Sequence, residues 1–257
     1  MAACQFGDYG DIAMKVLIVG DVHERNIQLA KVLSPDRLDR IEAIVFLGDW
    51  LDSFAPYDGG RVQATIEFIM AGHQLNGIEH KGRLIPCDWI LGNHDVHYFF
   101  DHDGYGCSGW DPRKKEMVKR LIPPEVIKRF KVFTHVGPYL VSHAGFHPTT
   151  LKLANFQLCQ DAVKEALGGA YSPLFGAGYA RGGNLPYGGP AWLDWRDEFV
   201  DIPGKPQIVG HTHGKEVRTR GGSEVSETFR SWCIDTALRF VAVVNSETGD
   251  VSIEEVV

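Results

Sequence analysis

Gly20-Asp21-Val22-His23 closes the apolar run Lys15–Val19, and Gly48-Asp49-Trp50-Leu51-Asp52 closes the run 43–47. The same event recurs three times. Residues 89–91 lead into Gly92-Asn93-His94-Asp95, Tyr139–Ser142 into His143-Ala144-Gly145, and Gln207–Val209 into Gly210-His211-Thr212-His213. Short, strongly apolar runs bounded by glycine read as buried strands. Side chains at the carboxyl ends of strands in an α/β sheet meet in one crevice. Aspartate, asparagine and histidine gathered there can hold divalent metals, so the chain reads as a metalloenzyme.

Between these strands the pattern turns helical. Residues 24–33 carry Ile27, Leu29, Ala30 and Leu33 near helical spacing before Pro35, and residues 61–75 align Val62, Ile66, Ile69 and Met70. Alternation of this kind implies parallel strands joined by crossover helices. Residues 98–110 read as an aromatic, acidic loop. Asp111-Pro112 then starts a helix over Pro112–Leu121 as cap and first residue. Its run of Arg113, Lys114, Lys115, Lys119 and Arg120 reads as a solvated face. Residues 131–135 and 138–143 flank Val136-Gly137 as a hairpin, and a helix follows over 155–167. The glycine-rich stretch 168–189 reads as a long irregular loop, and three β-type segments (232–235, Phe240–Asn245, 251–254) end the chain. One domain over 14–257 is expected, with insert loops near 98–121 and 168–195 and a flexible leader at 1–13.

At 257 residues, 44% apolar and 23% charged, the composition is that of a globular chain near the size limit of one hydrophobic core. A net charge of −7 argues against tight, non-specific nucleic-acid binding. The five cysteines (Cys4, Cys87, Cys107, Cys159, Cys233) are odd in number and never form C-x-x-C. They read as reduced thiols of a cytoplasmic protein rather than a disulfide framework. No apolar stretch reaches the roughly 20 residues that cross a bilayer, so no membrane association is expected.

Taken singly each motif is weak, but the ordered set D-x-H, G-D-x-x-D, G-N-H-D, H and G-H-x-H resembles the calcineurin-like metallophosphoesterase superfamily. The resemblance implies an α/β fold of two mixed β-sheets packed as a sandwich flanked by helices, a four-layer αββα arrangement. It also implies that Asp21, His23 and His213 hold one metal, that Asn93, His143 and His211 hold a second, and that Asp49 bridges them. His94 matches the family's general acid and Asp52 the carboxylate that orients it, while Asp95 is expected to brace the structure. Oxygen and imidazole donors without thiolate suit two divalent transition metal ions, manganese first, with iron, zinc or nickel as alternatives. Such a pair lowers the pKa of bound water and clamps an in-line displacement at phosphorus, giving hydrolysis by a metal-bridging hydroxide.

Ser142-His143-Ala144-Gly145-Phe146-His147-Pro148 and Cys233-Ile234-Asp235-Thr236 are similar to segments of the phosphoprotein phosphatase and diadenosine tetraphosphate hydrolase branch. That branch usually places Arg-Gly after G-D-x-x-D. Here Ser53 and Phe54 stand instead, and Ala237 replaces the glycine after I-D-T. Arg181 and Arg196 are the candidate phosphate-binding side chains. The expected activity is that of a phosphomonoesterase acting on a phosphorylated small molecule, nucleotide or phosphoprotein. Its rivals are a phosphodiesterase or dinucleoside polyphosphate hydrolase and, from another class, a non-catalytic metal-binding scaffold.

Overall fold

Alternate residues of the first strand serve two different cores. In the computed structural model, which describes residues 14–221 and 229–257, Val16 and Ile18 of β1 (Lys15–Val19) join Val45 and Leu47 and then Val141, Ile208 and Ile234 of a second sheet. Leu17 and Val19 point the other way, with Ile44 and Phe46 of β2 (Ala43–Phe46), onto helices α1 (Asn26–Val32) and α3 (Gly59–Leu75). The short helix α2 (Pro35–Leu38) lies between α1 and β2. Side chains alternate faces along a strand, so a run apolar at every position must be covered on both sides. Truncating any one of these fully buried residues to alanine would cost about 2–5 kcal/mol.

The remaining strands are β3 (Gly77–His80), β4 (Arg83–Trp89), β5 (Phe133–Val136), β6 (Tyr139–Ser142), β7 (Gln207–Val209), β8 (Arg218–Arg220), β9 (Ser231–Cys233), β10 (Phe240–Asn245) and β11 (Val251–Glu255). They form a six-stranded sheet, β11-β10-β1-β2-β4-β3, and a five-stranded sheet, β5-β6-β7-β9-β8. Both are mixed. β1, β2 and β4 run parallel in one and β6, β7 and β9 in the other, with antiparallel strands outside. The helices α4 (Asn93–Phe99), α5 (Pro112–Leu121), α6 (Pro124–Ile127) and α7 (Phe156–Leu167) complete the described residues. α7 packs Cys159, Ala162, Val163 and Ala166 into the cluster that holds Phe133, Leu140 and Phe146 of the second sheet's outer side. Helix, sheet, sheet, helix is the expected order of layers.

Several expectations shift. The β5–β6 link is Gly137-Pro138, one residue later than read, with Gly137 at φ +54. β3 was not expected. It pairs with β4 through Lys81 (φ 50) and Gly82 (φ +76), the left-handed pair that a tight hairpin requires. α4 starts on the motif residue Asn93 itself, because Asp95 reaches back to the Gly92 amide at 2.9 Å. The basic face of α5 is not simply solvated, since Lys114 is only 4% exposed. The leader at 1–13, with Cys4, lies outside the described residues. Cys87, Cys107, Cys159 and Cys233 are free thiols. Among the described residues no helix is long and apolar enough to cross a membrane.

Candidate metal centre and active site

The carboxyl ends of β1, β2, β4, β6 and β7 deliver the motif residues to one place, and the chain bends sharply to do it. His23, Asp49, Asp52 and His211 all adopt left-handed backbone, with φ between 47 and 68. Such conformations are costly for non-glycine residues and persist where the surroundings over-determine them. The loops after β1 and β2 are tied together by His23 N to Asp49 O (2.6 Å) and Glu24 N to Trp50 O (2.8 Å). Two motif glycines are needed for close approach. A Cβ on Gly92 would overlap the Asp49 carboxylate, and one on Gly210 would overlap Asp21 Oδ1.

Asp95 braces this region. Its carboxylate accepts from the amides of Asp49, Trp50 and Gly92, each at 2.9 Å. Burial, and then Asp49, push it up to about 7. Asp49 Oδ1 accepts from the His94 amide at 2.9 Å, which leaves Oδ2 facing imidazoles. It lies 3.4 Å from His143 Nε2, 3.7 Å from His23 Nε2 and 4.0 Å from His94 Nε2.

The other ring nitrogens fix what those Nε2 atoms are. His23 Nδ1 donates to Leu51 O at 2.8 Å and His143 Nδ1 to Leu47 O at 2.7 Å. A carbonyl can only accept, so Nδ1 carries the hydrogen and a neutral ring presents its Nε2 lone pair inward. His143 Nε2, His211 Nδ1 and Asn93 Oδ1 then stand 2.8–3.3 Å apart in a buried space, two ring nitrogens around a carboxamide oxygen. Ring nitrogens, a carboxamide oxygen and carboxylates gathered this closely form a donor set that suits a divalent metal. Titration follows the same field. Burial opposes charge on His143, yet Asp49 and Asp21 push it up to about 10. Burial also works against Asp49, but His143 and His94 hold it well below the usual carboxylate range. Asp21 is driven well above that range by burial and then by Asp235.

Three donor groups converge among the described residues: His23, Asp49 and His94; Asp49, His143 and His211; and Asp52, His94 and Cys107, the last behind His94. Asn93 joins the second through its oxygen. Asp21 joins the first, 4.0 Å from His23 Nε2, while both its oxygens accept from the His211 amide at 3.1 Å. His213 stands apart from all three groups. Its side chain is 63% exposed and its Nδ1 lies 3.5 Å from Asp235 Oδ1.

His94 Nδ1 contacts Asp52 Oδ2 at 2.7 Å, and Asp52 is fully buried. Burial opposes charge on His94, while Asp49 and Asp52 raise it above the ordinary histidine range. Phe54 lies open at the mouth, its ring centroid 5.3 Å from His23 and 5.7 Å from His94. Arg181 and Arg196 lie against the Gly210–His213 loop rather than on the carboxylates. Arg181 pairs with Asp194 (2.7 Å) and donates to Thr212 Oγ1 (2.9 Å), and Arg196 Nη2 donates to His213 O (3.1 Å). Arg181 is close enough that, after burial and His143, its charge helps lower His211. Sequence reasoning missed Glu24, Tyr98 and Lys114, which surround Asp52. The available signal was Lys114 itself, a lysine four residues before Val118 on the apolar face of α5.

The sequence model of the calcineurin-like phosphoesterase family matches residues 14–215. Among solved structures, the chain is similar to the cold-active protein-tyrosine phosphatase of a psychrophilic Shewanella species. The identity is 14%, with 96% of this chain and 81% of that one covered and a TM-score of 0.61. It is also similar to a metallophosphoesterase from Sphaerobacter thermophilus, again at 14% identity, covering 96% and 89% with a TM-score of 0.45. At 14% identity the likeness to the Shewanella phosphatase is one of fold. No curated protein matches the chain in sequence. With the family's motif order spanning this crevice, the chain belongs to the calcineurin-like phosphoesterases and is a metal-dependent hydrolase of phosphate esters.

Proposed function

We propose that the chain is a dinuclear phosphomonoesterase in which Asp49 is shared by two divalent metal ions, manganese being the first choice. Asp21, His23 and His213 would complete one ion's protein ligands, and Asn93, His143 and His211 the other's. The observation that carries this reading is the position of Asp49 Oδ2 among three imidazole Nε2 atoms at 3.4–4.0 Å. Two ions at such a centre supply Lewis acidity toward phosphoryl oxygens and make hydroxide available near neutral pH.

The chain's own residues supply the rest. His94 gives a proton from Nε2 to the departing ester oxygen. Asp52 holds the opposite nitrogen, so the ring stays aimed and its charged form is favoured. Arg181 and Arg196 would meet phosphate oxygens from the Gly210–His213 side of the crevice, where guanidinium donors suit them. A phosphorylated small molecule, nucleotide or phosphoprotein would serve as substrate, acted on in the cytoplasm.

The test is hydrolysis of p-nitrophenyl phosphate, phenyl phosphate, bis(p-nitrophenyl) phosphate and diadenosine tetraphosphate with manganese, His94→Asn assayed alongside. The nitrophenyl monoester should be hydrolysed fastest, and on phenyl phosphate, whose leaving oxygen needs a proton, the variant should lose about 10²–10⁴ in kcat with both metals retained. Faster turnover of the diester or the dinucleotide would make those the substrate class. Metal binding with no turnover of any ester would return the scaffold reading. Loss of metal from the variant would make His94 a ligand, a role its place beside His23 and Asp49 allows.

A further inference from the structure

Lys114 is a buried lysine that ties together two buried carboxylates beside the centre. Its Nζ lies 2.6 Å from Glu24 Oε1 and 2.9 Å from Asp52 Oδ1, and both carboxylates have fully buried side chains. A lysine so placed is rarely kept for stability alone, because removing three charges from water costs more than most such pairs return. What it does accomplish is directional. Asp52 has two oxygens with different duties: Oδ2 faces His94 Nδ1 at 2.7 Å, and Oδ1 takes Lys114 and the Tyr98 hydroxyl at 2.9 and 2.7 Å. With Oδ1 held by two donors, the carboxylate cannot rotate away from His94.

The surroundings make that grip rigid. Glu24 accepts from the Asp52 amide at 3.0 Å and pairs with Arg61 at 2.9 Å, so the lysine's other anchor is fixed as well. The amide of Asp111, the cap of α5, donates to the Tyr98 oxygen at 3.0 Å, and Tyr98 passes its own hydrogen to Asp52. α5 therefore reaches Asp52 by two routes, through the Lys114 side chain and through its cap. Lys115 secures the same helix to the end of α4, donating to His97 O at 2.9 Å and Phe100 O at 2.8 Å. The segment 98–121, expected as an insert, reaches Asp52 through Tyr98, Asp111 and Lys114.

We propose that Lys114 is a positioning residue for proton donation, fixing Asp52 as the carboxylate partner of His94. The inference rests on His94 acting as the general acid. Without Lys114, Asp52 Oδ1 would keep only the Tyr98 hydroxyl, and Glu24 would keep Arg61 and the Asp52 amide but lose its link to the Asp52 carboxylate.

The experiment compares wild type, His94→Asn and Lys114→Met with manganese on p-nitrophenyl phosphate and phenyl phosphate. Nitrophenolate leaves readily as an anion, whereas phenolate needs a proton. Lys114→Met should lose about tenfold more kcat on phenyl phosphate than on the nitrophenyl ester, with KM and metal content nearly unchanged, and His94→Asn should show the larger skew. If His94→Asn skews the two esters and Lys114→Met slows both equally, Lys114 is structural and the inference is overturned. If His94→Asn shows no skew, the acid assignment fails and the inference falls with it. Should Lys114→Met fail to fold, Lys114→Gln, which is uncharged and too short to bridge both carboxylates, is read the same way.

Discussion

The two halves of the centre are unequally prepared. On the side of Asn93, His143 and His211 the donor atoms are already 2.8–3.3 Å apart, and His143 is held by a backbone carbonyl. On the side of Asp21, His23 and His213 only two donors are buried and near each other, while His213 is turned to Asp235 in solvent. In the proposed arrangement both halves share Asp49, so the difference lies in the third ligand. A site whose ligands are locked by neighbours binds without reorganising, and one with a free side chain must order it first. The Asn93 side is therefore expected to bind its ion more tightly than the Asp21 side.

His143→Ala is expected to do the greater damage to this comparison. It should remove the tighter ion and lower kcat/KM by about a hundredfold or more, with no recovery at high manganese. His213→Ala should weaken only the looser ion, by about ten- to a hundredfold in affinity, and activity should return as manganese is raised. Manganese titrations of the two variants check both statements, and an equal response would erase the asymmetry. The smallest effect is expected at Phe54, which lies open over the Asp21 side. Phe54→Ala should raise KM for aryl phosphates by a few-fold relative to alkyl phosphates and leave metal affinity alone. Comparing KM for phenyl and glycerol phosphates measures it.

How legible these parts were in the sequence follows their chemistry. Strand ends and candidate ligands could be read because four of the five apolar runs stop at a glycine, two of which, Gly92 and Gly210, let backbone approach the Asp49 and Asp21 carboxylates. Strand β3 could not. Gly77-Ile78-Glu79-His80 has almost no apolar face, and β4 and the Lys81-Gly82 turn hold it as an edge. The fate of His213 was equally hidden. Residues two apart share a face only along a strand, and past β7 the chain turns at His211 (φ 64), leaving His213 exposed. Lys114 was misjudged because it stands in a run of five basic side chains, and its burial depends on Glu24 and Asp52, far away in sequence. Composition identifies a charged helix, whereas partner geometry decides which of its charges is buried.

The most direct measurement on the shared Asp49 is manganese content together with electron paramagnetic resonance of the loaded, active protein. Two ions per chain with an exchange-coupled spectrum, reduced to no coupled pair in Asp49→Ala, is the expected result. Full phosphomonoesterase activity with a single ion per chain, or two ions showing no magnetic coupling, would contradict it.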